Sequence, residues 1–224
     1  MYYANYITLK VVCRVEKIVY VTGNYGKYIS VKEHFDAEGI EIDFFEHDFN
    51  EPEINDIEAV SKAKVLEAYS ILGKPCFVAD SGFFIDDYPN NPGYPGAFVK
   101  RSGVSSNINE LLNKMKVVKN RSCQFVDCLT FYDGVNFYSF YGICKGTIAY
   151  NPKGNLLNKA KSALWYVFIP ENHQKTLAEM TDEERKDEKD GHTSATNEFI
   201  NWLKNNYSVK PPVLVVKNND ENNR

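Results

Sequence analysis

The sequence is 224 residues long, with 43% hydrophobic and 14% aromatic side chains and a formal net charge of -4. That length and apolar content suffice for one large domain or two small ones around a substantial core. The acidic balance argues against a nucleic-acid polymer as main partner, because no basic excess can neutralise phosphates along a strand; small anionic ligands need only a few local cations.

The chain opens on "MYYANYITLKVVCRVEK", where Lys10 and Arg14 interrupt the apolar residues, so no secretory h-region is expected. No apolar run is long enough to span a bilayer, and no membrane partner is expected. The cysteines Cys13, Cys76, Cys123, Cys128 and Cys144 are odd in number and contain no Cys-x-x-Cys. They read as buried reduced thiols, and Cys123 with Cys128 lacks the second pair that a zinc site needs. The expectation is a soluble, cytoplasmic protein.

"KIVYVTGN" (17–24) is a short β-branched and aromatic run that predicts a buried strand ending in a turn. "KYISVKEHFDAEG" (27–39) carries Tyr28, Val31 and Phe35 at helical spacing, with Gly39 as its stop. "IEIDFFEHDF" (40–49) predicts a second strand. "DIEAVSKAKVLEAYSILG" (56–73) predicts a helix with Asp56 as N-cap and Gly73 past its end. "PCFVAD" (75–80) predicts a third strand, ended by Asp80. Alternating strands and helices indicate a doubly wound α/β beginning.

"DDYPNNPGYPGAF" (86–98) predicts a loop and "SSNINELLNKMK" (105–116) a helix. "CQFVDCLTFYDGVNFYSFYGICKGTIAY" (123–150) predicts two or three long antiparallel strands with a turn at Asp133-Gly134. Thr181 and Glu184 form a capping-box pattern. "SATNEFINWLKNN" (194–206) predicts a last helix with Phe199, Trp202 and Leu203 inward. The division expected is an extension over 1–16, one two-lobed domain over 17–207, and a loosely held tail over 208–224.

Four stretches could carry chemistry. In "VTGNYGK" (21–27) a strand ends, a Gly-containing turn follows and a lysine opens a helix, which suits an anion at the helix N-terminus. Thr22 and Asn24 add side-chain donors and Lys27 a full charge, although the spacing is not that of a Walker A loop, and an ordinary strand-to-helix turn fits as well. Asp80 closes the third strand at the carboxyl end of the sheet, where doubly wound folds bind ligands. It reads either as an oxygen ligand for Mg²⁺ beside a polyphosphate or as a cap for a Ser81-Gly82 turn. In "DFNEPEIND" (48–56), Glu53 or Glu51 could supply a second metal oxygen, or a partner for the helix dipole. His192 in "KDGHTSA" (189–195) precedes the last helix in a polar stretch; His34, His47 and His173 read as structural.

Together these stretches resemble the inosine triphosphate pyrophosphatases, enzymes that clear noncanonical purine nucleoside triphosphates. The order matches from Lys17 to about Asn206. "TGNYGK" resembles the family's opening Thr-Gly-Asn-x-x-Lys, and "PEI" (52–54) its Pro-Glu-Ile segment, which favours Glu53 over Glu51. "SKA" (61–63) is similar to its helical Lys-Ala pair, "ADSGFFID" to its Asp-Ser-Gly-Leu segment and "NPGYPGAF" to the Pro-Gly loop after it. "KGTI" (145–148) and "FIPENHQKTLAEMTDEE" (168–184) also resemble family segments.

The resemblance implies an α/β fold, a two-lobed mixed sheet with helices around a central nucleotide-binding cleft, usually as a homodimer. It implies Mg²⁺-dependent hydrolysis of a nucleoside triphosphate such as ITP, dITP or XTP to monophosphate and pyrophosphate, with Mn²⁺ as a substitute ion. Asp80 would be the metal-linked acid or the base that activates water, and Glu53 would hold the Mg²⁺. Thr22, Gly23, Asn24, Lys27, Lys62, Ser81 and Gly82 would surround the triphosphate, with Lys27 also catalytic. Where the family carries Phe-Gly-Tyr/Trp-Asp-Pro, this chain reads "KSALWYVF", leaving Trp165 or Tyr166 to stack on a base. The family's Ser-His-Arg reads Gly191-His192-Thr193, and Lys186 or Lys189 stands for the lysine before it. The departures fall on base recognition, so an altered base preference is expected. The alternatives are a nucleotide-binding protein with weak turnover, a Maf-like pyrophosphatase, and a partner-binding module without nucleotide affinity.

Overall fold

The computed structural model describes residues 10–12, 17–50, 52–155, 162–185, 194–207 and 213–215. Within them a seven-stranded mixed sheet is flanked by helices on both faces.

The α/β beginning follows the sequence pattern. β2 (Ile18–Val21) is buried at all four positions, as a strand covered on both faces must be. (β1 is Lys10–Val12, which pairs antiparallel with Val213–Val215, the last strand, in a separate two-stranded sheet.) α1 (Tyr25–Ala37) is capped by Asn24, and it buries Phe35 while Tyr28 and Val31 pack against the same core cluster. β3 (Ile42–Phe45) runs parallel to β2. α2 (Ile57–Leu72) begins at Asp56, whose side chain accepts from Glu58 N and Ala59 N, and ends at Gly73 with φ 63°. Those two positions supply the cap and the left-handed stop that the sequence pattern predicts.

β4 is longer than expected. The strand does not end at Asp80 but continues from Cys76 to Ile85, and no Ser81-Gly82 turn exists for Asp80 to cap. The reason lies in its neighbours. One edge of β4 pairs with β6 (Ser122–Tyr132) over its full length, Cys76 opposite Tyr132 through Ile85 opposite Cys123. The other edge pairs with β2 only at Cys76 and Phe77, and with the two-residue β5 (Pro95–Gly96) only at Phe83 and Phe84. Between these pairings, from Val78 to Gly82, that edge has no strand partner among the described residues. A continuous strand thus carries a gap in its ladder on one side, and Asp80 stands in the middle of it.

α3 (Ile108–Lys114) follows, and then β6 and β7 (Phe137–Ile148) form one long hairpin rather than three strands. Asp133 Oδ1 accepts from Val135 N and Asn136 N at 2.7 Å each and closes its turn. β8 (Phe168–Pro170) adds to β7, and α4 (Ala195–Asn206), capped by Ser194, carries Phe199 and Leu203 into the core with Trp202 partly buried against it. The capping box forms as expected: Thr181 N donates to Glu184 Oε2, and Glu184 N donates to Thr181 Oγ1.

The core divides in the way that two lobes require. On one face of the sheet, α1 and α4 cover Tyr20, Phe77, Leu129 and Phe131. Farther along the same face, α3, β8 and the turn before it cover Phe83, Ile85, Cys123 and Ile148. α2 covers the opposite face through Val65 and Ala68 against Val19, Val21, Cys76 and Val78. The hairpin β6–β7 runs beneath both lobes. Cys76, Cys123 and Cys128 are buried thiols outside any disulfide, and no helix among the described residues is long and apolar enough to cross a membrane.

Candidate active site

The first part of the site is the turn after β2. Thr22 is buried, its N donates to Phe45 O at 3.2 Å, and its Oγ1 accepts from Asn24 N at 3.2 Å. Asn24 Oδ1 is taken as the helix cap, accepting from Lys27 N at 3.1 Å. Asn24 therefore offers only its amide nitrogen to a ligand. Lys27 is exposed in the first turn of α1, which contains no acidic residue. Gly23 is needed for a steric reason: a Cβ there would lie 1.9 Å from Asp48 Oδ1 and 3.2 Å from His47 O. The loop after β3 presses directly on this turn. That loop is braced by His47, whose Nε2 is 2.7 Å from Glu67 Oε1 on α2.

The second part is Asp80. Its Oδ1 lies 2.5 Å from Lys64 Nζ, and the two side chains are 15% and 8% exposed. Asp80 Oδ2 is buried and has no hydrogen-bond partner among the described residues. A buried carboxylate oxygen without a donor is costly, so its presence marks a position kept for a cation or a proton. The Tyr20 hydroxyl joins the two parts: it lies beside Thr22 and in the field of the Asp80 carboxylate. Burial first, and then that charge, raise its pKa above the ordinary phenol value.

The lysine that α2 brings to Asp80 is Lys64, which the sequence pattern did not single out, while Lys62 faces Glu58. Lys62 Nζ pairs with Glu58 at 2.7 Å and lies over the Phe137 ring at 5.9 Å, toward the hairpin end of the sheet. The signal was available in the spacing. On α2, Val60, Ser61, Lys64, Val65 and Ala68 are buried, so Lys64 shares the inward face and Lys62 does not.

Glu53 is 93% exposed and lies 3.9 Å from Arg101. Two residues on, Asn55 Oδ1 accepts from Ala97 N at 2.9 Å and ties this loop to β5. Gly82 also belongs to that junction, since a Cβ there would lie 3.0 Å from Gly96 O and 2.8 Å from the Phe84 ring. Ser81 is exposed on the face between the two lobes. Glu51 and His192 lie outside the described residues, as do Lys186, Lys189, Gly191 and Thr193. Among the described residues no group of three His, Cys, Asp or Glu side chains could hold a metal by itself. The donor set fits Mg²⁺ in its usual manner, with one or two carboxylates and the remaining positions left to substrate phosphate and water.

Trp165 and Tyr166 lie in a 3-10 turn over Ala163–Tyr166 in the second lobe. The Arg185 guanidinium sits 5.7 Å from the Trp165 ring centre. Arg185 donates to Leu177 O and Met180 O, which holds the cation over the ring. A hollow of about 600 Å³ opens at the far end of β6 and β7, beside Lys119, Tyr150 and Lys153. Ser122 lies there six residues from Cys128, the partner of Asp80, so the hollow is about 20 Å from the carboxylate. Its Arg121 is spent on three carbonyls, Met115 O, Ile148 O and Ala149 O.

A family model described as Ham1 family matches residues 18–202. The dITP/XTP pyrophosphatase of Saccharolobus solfataricus is 34% identical over 169 residues, covering 75% of this chain and 84% of that one. The dITP/XTP pyrophosphatase of Thermococcus kodakarensis is 30% identical over 190 residues, covering 85% and 98%. Among solved structures, a HAM1 protein from Coxiella burnetii superposes with a TM-score of 0.68 at 20% identity, over 84% of this chain and 98% of that one.

Proposed function

Because the chain belongs to the Ham1 family, its match spanning residues 18–202, we propose that it hydrolyses noncanonical purine nucleoside triphosphates, ITP, dITP and XTP, to the monophosphate and pyrophosphate. The observation that carries this reading is the Asp80 carboxylate, with one oxygen on Lys64 and the other buried and unpartnered among the described residues. A structural ion pair has no need of an orphaned oxygen. A metal-linked acid or a general base does.

In this reading the turn after β2 receives the phosphates through its backbone N–H groups, the Asn24 amide and Lys27. Mg²⁺, with Mn²⁺ as substitute, neutralises the triphosphate and polarises the α-phosphate when bound. Asp80 Oδ2 would hold the ion or take the proton of the attacking water, and Glu53 would supply the ion a second carboxylate oxygen. Lys64 holds Asp80 in place and offsets its charge. The water oxygen bonds to the α-phosphorus, and the bond to the bridging oxygen of the departing pyrophosphate breaks. Trp165, Tyr166 and the segment containing His192 serve the base. Clearance of damaged nucleotides in the cytoplasm, by a homodimer, belongs to the same reading.

The experiment is pyrophosphate release with Mg²⁺ on ITP, XTP, dITP, GTP, ATP and dUTP, with Asp80→Asn as control. Turnover concentrated on ITP, dITP and XTP and lost in the variant is the expected result. Turnover spread over the other bases would transfer the reading to a pyrophosphatase with an altered base pocket. No turnover on any of them, with nucleotide still bound, would leave a binding protein in its place.

A further inference from the structure

A buried cation stands at the far end of the β6–β7 hairpin. Arg121, one residue before β6, is 7% exposed. Its guanidinium donates to Ile148 O at 2.6 Å, Met115 O at 2.7 Å and Ala149 O at 2.9 Å. Those carbonyls satisfy its N–H groups without cancelling its charge, and no carboxylate pairs with it among the described residues. Burial pulls its pKa below the ordinary guanidinium value. A shielded positive charge that lacks a counterion draws an anion.

That charge lies in the wall of the 600 Å³ hollow. Lys119 and Lys153 are exposed on the same hollow, and neither forms an ion pair among the described residues. Three cations and no carboxylate line it, in a chain whose net charge is -4. Asn120 Oδ1 accepts from Ser122 N at 3.0 Å, which leaves the Asn120 amide nitrogen as a further donor. The walls are fixed by backbone bonds. Ala149 N donates to Val167 O at 2.7 Å and Lys153 N to Tyr166 O at 2.8 Å, while Thr176 Oγ1 donates to Lys153 O at 3.1 Å. A site whose backbone is set before the ligand arrives loses little entropy on binding.

Tyr150 decides what kind of anion fits. It is 71% exposed, yet its ring centre lies 4.4 Å from the Arg121 guanidinium carbon. The cation holds one face of the ring and leaves the other to solvent. An open tyrosine face takes a planar aromatic group. An inorganic anion would use the cations and leave the ring idle, and a hollow of this volume has the size of a small-molecule site. The hollow lies about 20 Å from Asp80, so it is separate from the site described above.

We infer that the hollow is a second ligand site, which takes a nucleoside monophosphate: the base stacks on Tyr150, and the phosphate meets Lys119 and Lys153 with the Arg121 charge behind them. The inference does not need the hydrolase reading, although in the proposed reaction a monophosphate is the product.

The test is calorimetric titration of inosine 5′-monophosphate, and separately of inorganic phosphate, into the wild type, Tyr150→Ala and the double variant Lys119→Glu/Lys153→Glu. Thermal unfolding of each confirms folding, and pyrophosphate release from ITP is read alongside. The double variant is expected to bind one monophosphate fewer per chain than the wild type, with turnover retained. Tyr150→Ala is expected to weaken that site for the monophosphate by about tenfold or more and to leave inorganic phosphate unchanged. An equal number of bound monophosphates in the wild type and the double variant overturns the inference. A Tyr150→Ala variant that binds the monophosphate as tightly as the wild type overturns the nucleotide assignment. Turnover of ITP with an unchanged count removes only this inference, whereas a count that falls by one without any turnover in the wild type removes only the hydrolase reading.

Discussion

Lys64 Nζ lies 2.5 Å from one oxygen of Asp80, while the other oxygen of that carboxylate is buried without a partner among the described residues. Removing the amine would leave a shielded negative charge with no counterion. Lys64→Met is expected to lower unfolding stability by about 3 kcal/mol, and Asp80→Asn by a comparable amount, because it strands the Lys64 ammonium in turn. Denaturant midpoints of the two variants check this. A larger loss for Asp80→Asn would mean that the pair is held mainly by the carboxylate.

Turnover is expected to vanish on chelation and to return with Mg²⁺ or Mn²⁺. Glu53 is far more exposed than Asp80, so the two carboxylates should differ in weight. Glu53→Gln should raise the Mg²⁺ concentration for half-maximal rate by about tenfold, with the rate recovered at saturating ion. Asp80→Asn should not recover at any concentration. Equal responses in the two variants would refute this division of labour.

Two glycines should fail in different ways. A Cβ at Gly23 would overlap Asp48 Oδ1, so Gly23→Ala must push the loop after β3 off the phosphate turn. The expected outcome is a KM for ITP raised by about tenfold with a small loss of stability. A Cβ at Gly82 would meet Gly96 O at 3.0 Å and pry β5 from β4. Gly82→Ala is expected to cost about 1–3 kcal/mol in stability, seen as a lower denaturant midpoint.

Burial pushes the Cys76 thiol up to about 12 and Cys128 to about 11. In the unfolded chain a thiol ionises near its ordinary value of about 8.5. Above that pH the unfolded state holds fewer protons than the folded one, so stability falls as pH rises, up to the folded values. The expected loss is about 3 kcal/mol per thiol by pH 11, read from denaturant midpoints between pH 8 and 11. Cys128→Ala should flatten its share of that slope.

In the proposed reading the Trp165 ring, with Arg185 over it, serves the base rather than the phosphates. Trp165→Ala is expected to raise the KM for ITP by about tenfold while leaving competitive inhibition by inorganic tripolyphosphate unchanged. An equal weakening of both would place Trp165 at the phosphate end.

The local elements were legible where a short-range rule decides them. Asp56 and Gly73 bound α2, Thr181 and Glu184 form their box, and Asp133 closes the hairpin, each through contacts within a few residues. The end of β4 was misread because "ADSG" resembles a strand-to-turn boundary, whereas β6 holds the strand straight through it, a pairing more than forty residues away in sequence. Lys62 was chosen over Lys64 for a related reason: both are lysines on one helix, and only the packed face distinguishes them. The row between the two core clusters was invisible in one dimension, since Ser81, Asp127 and Gly142 come from three strands and meet only through register.

The division of the core has an evolutionary consequence. Each lobe has its own aromatic cluster, and the two meet only across the row of Ser81, Asp127 and Gly142. Substitutions in separate clusters add nearly independently, within about 0.5 kcal/mol. The second lobe can accumulate changes such as those in "KSALWYVF" without eroding the packing that holds Asp80 and the phosphate turn. Selection on which base is accepted can thus proceed apart from selection on the hydrolytic step, and a lineage can explore new substrates while its chemistry stays fixed.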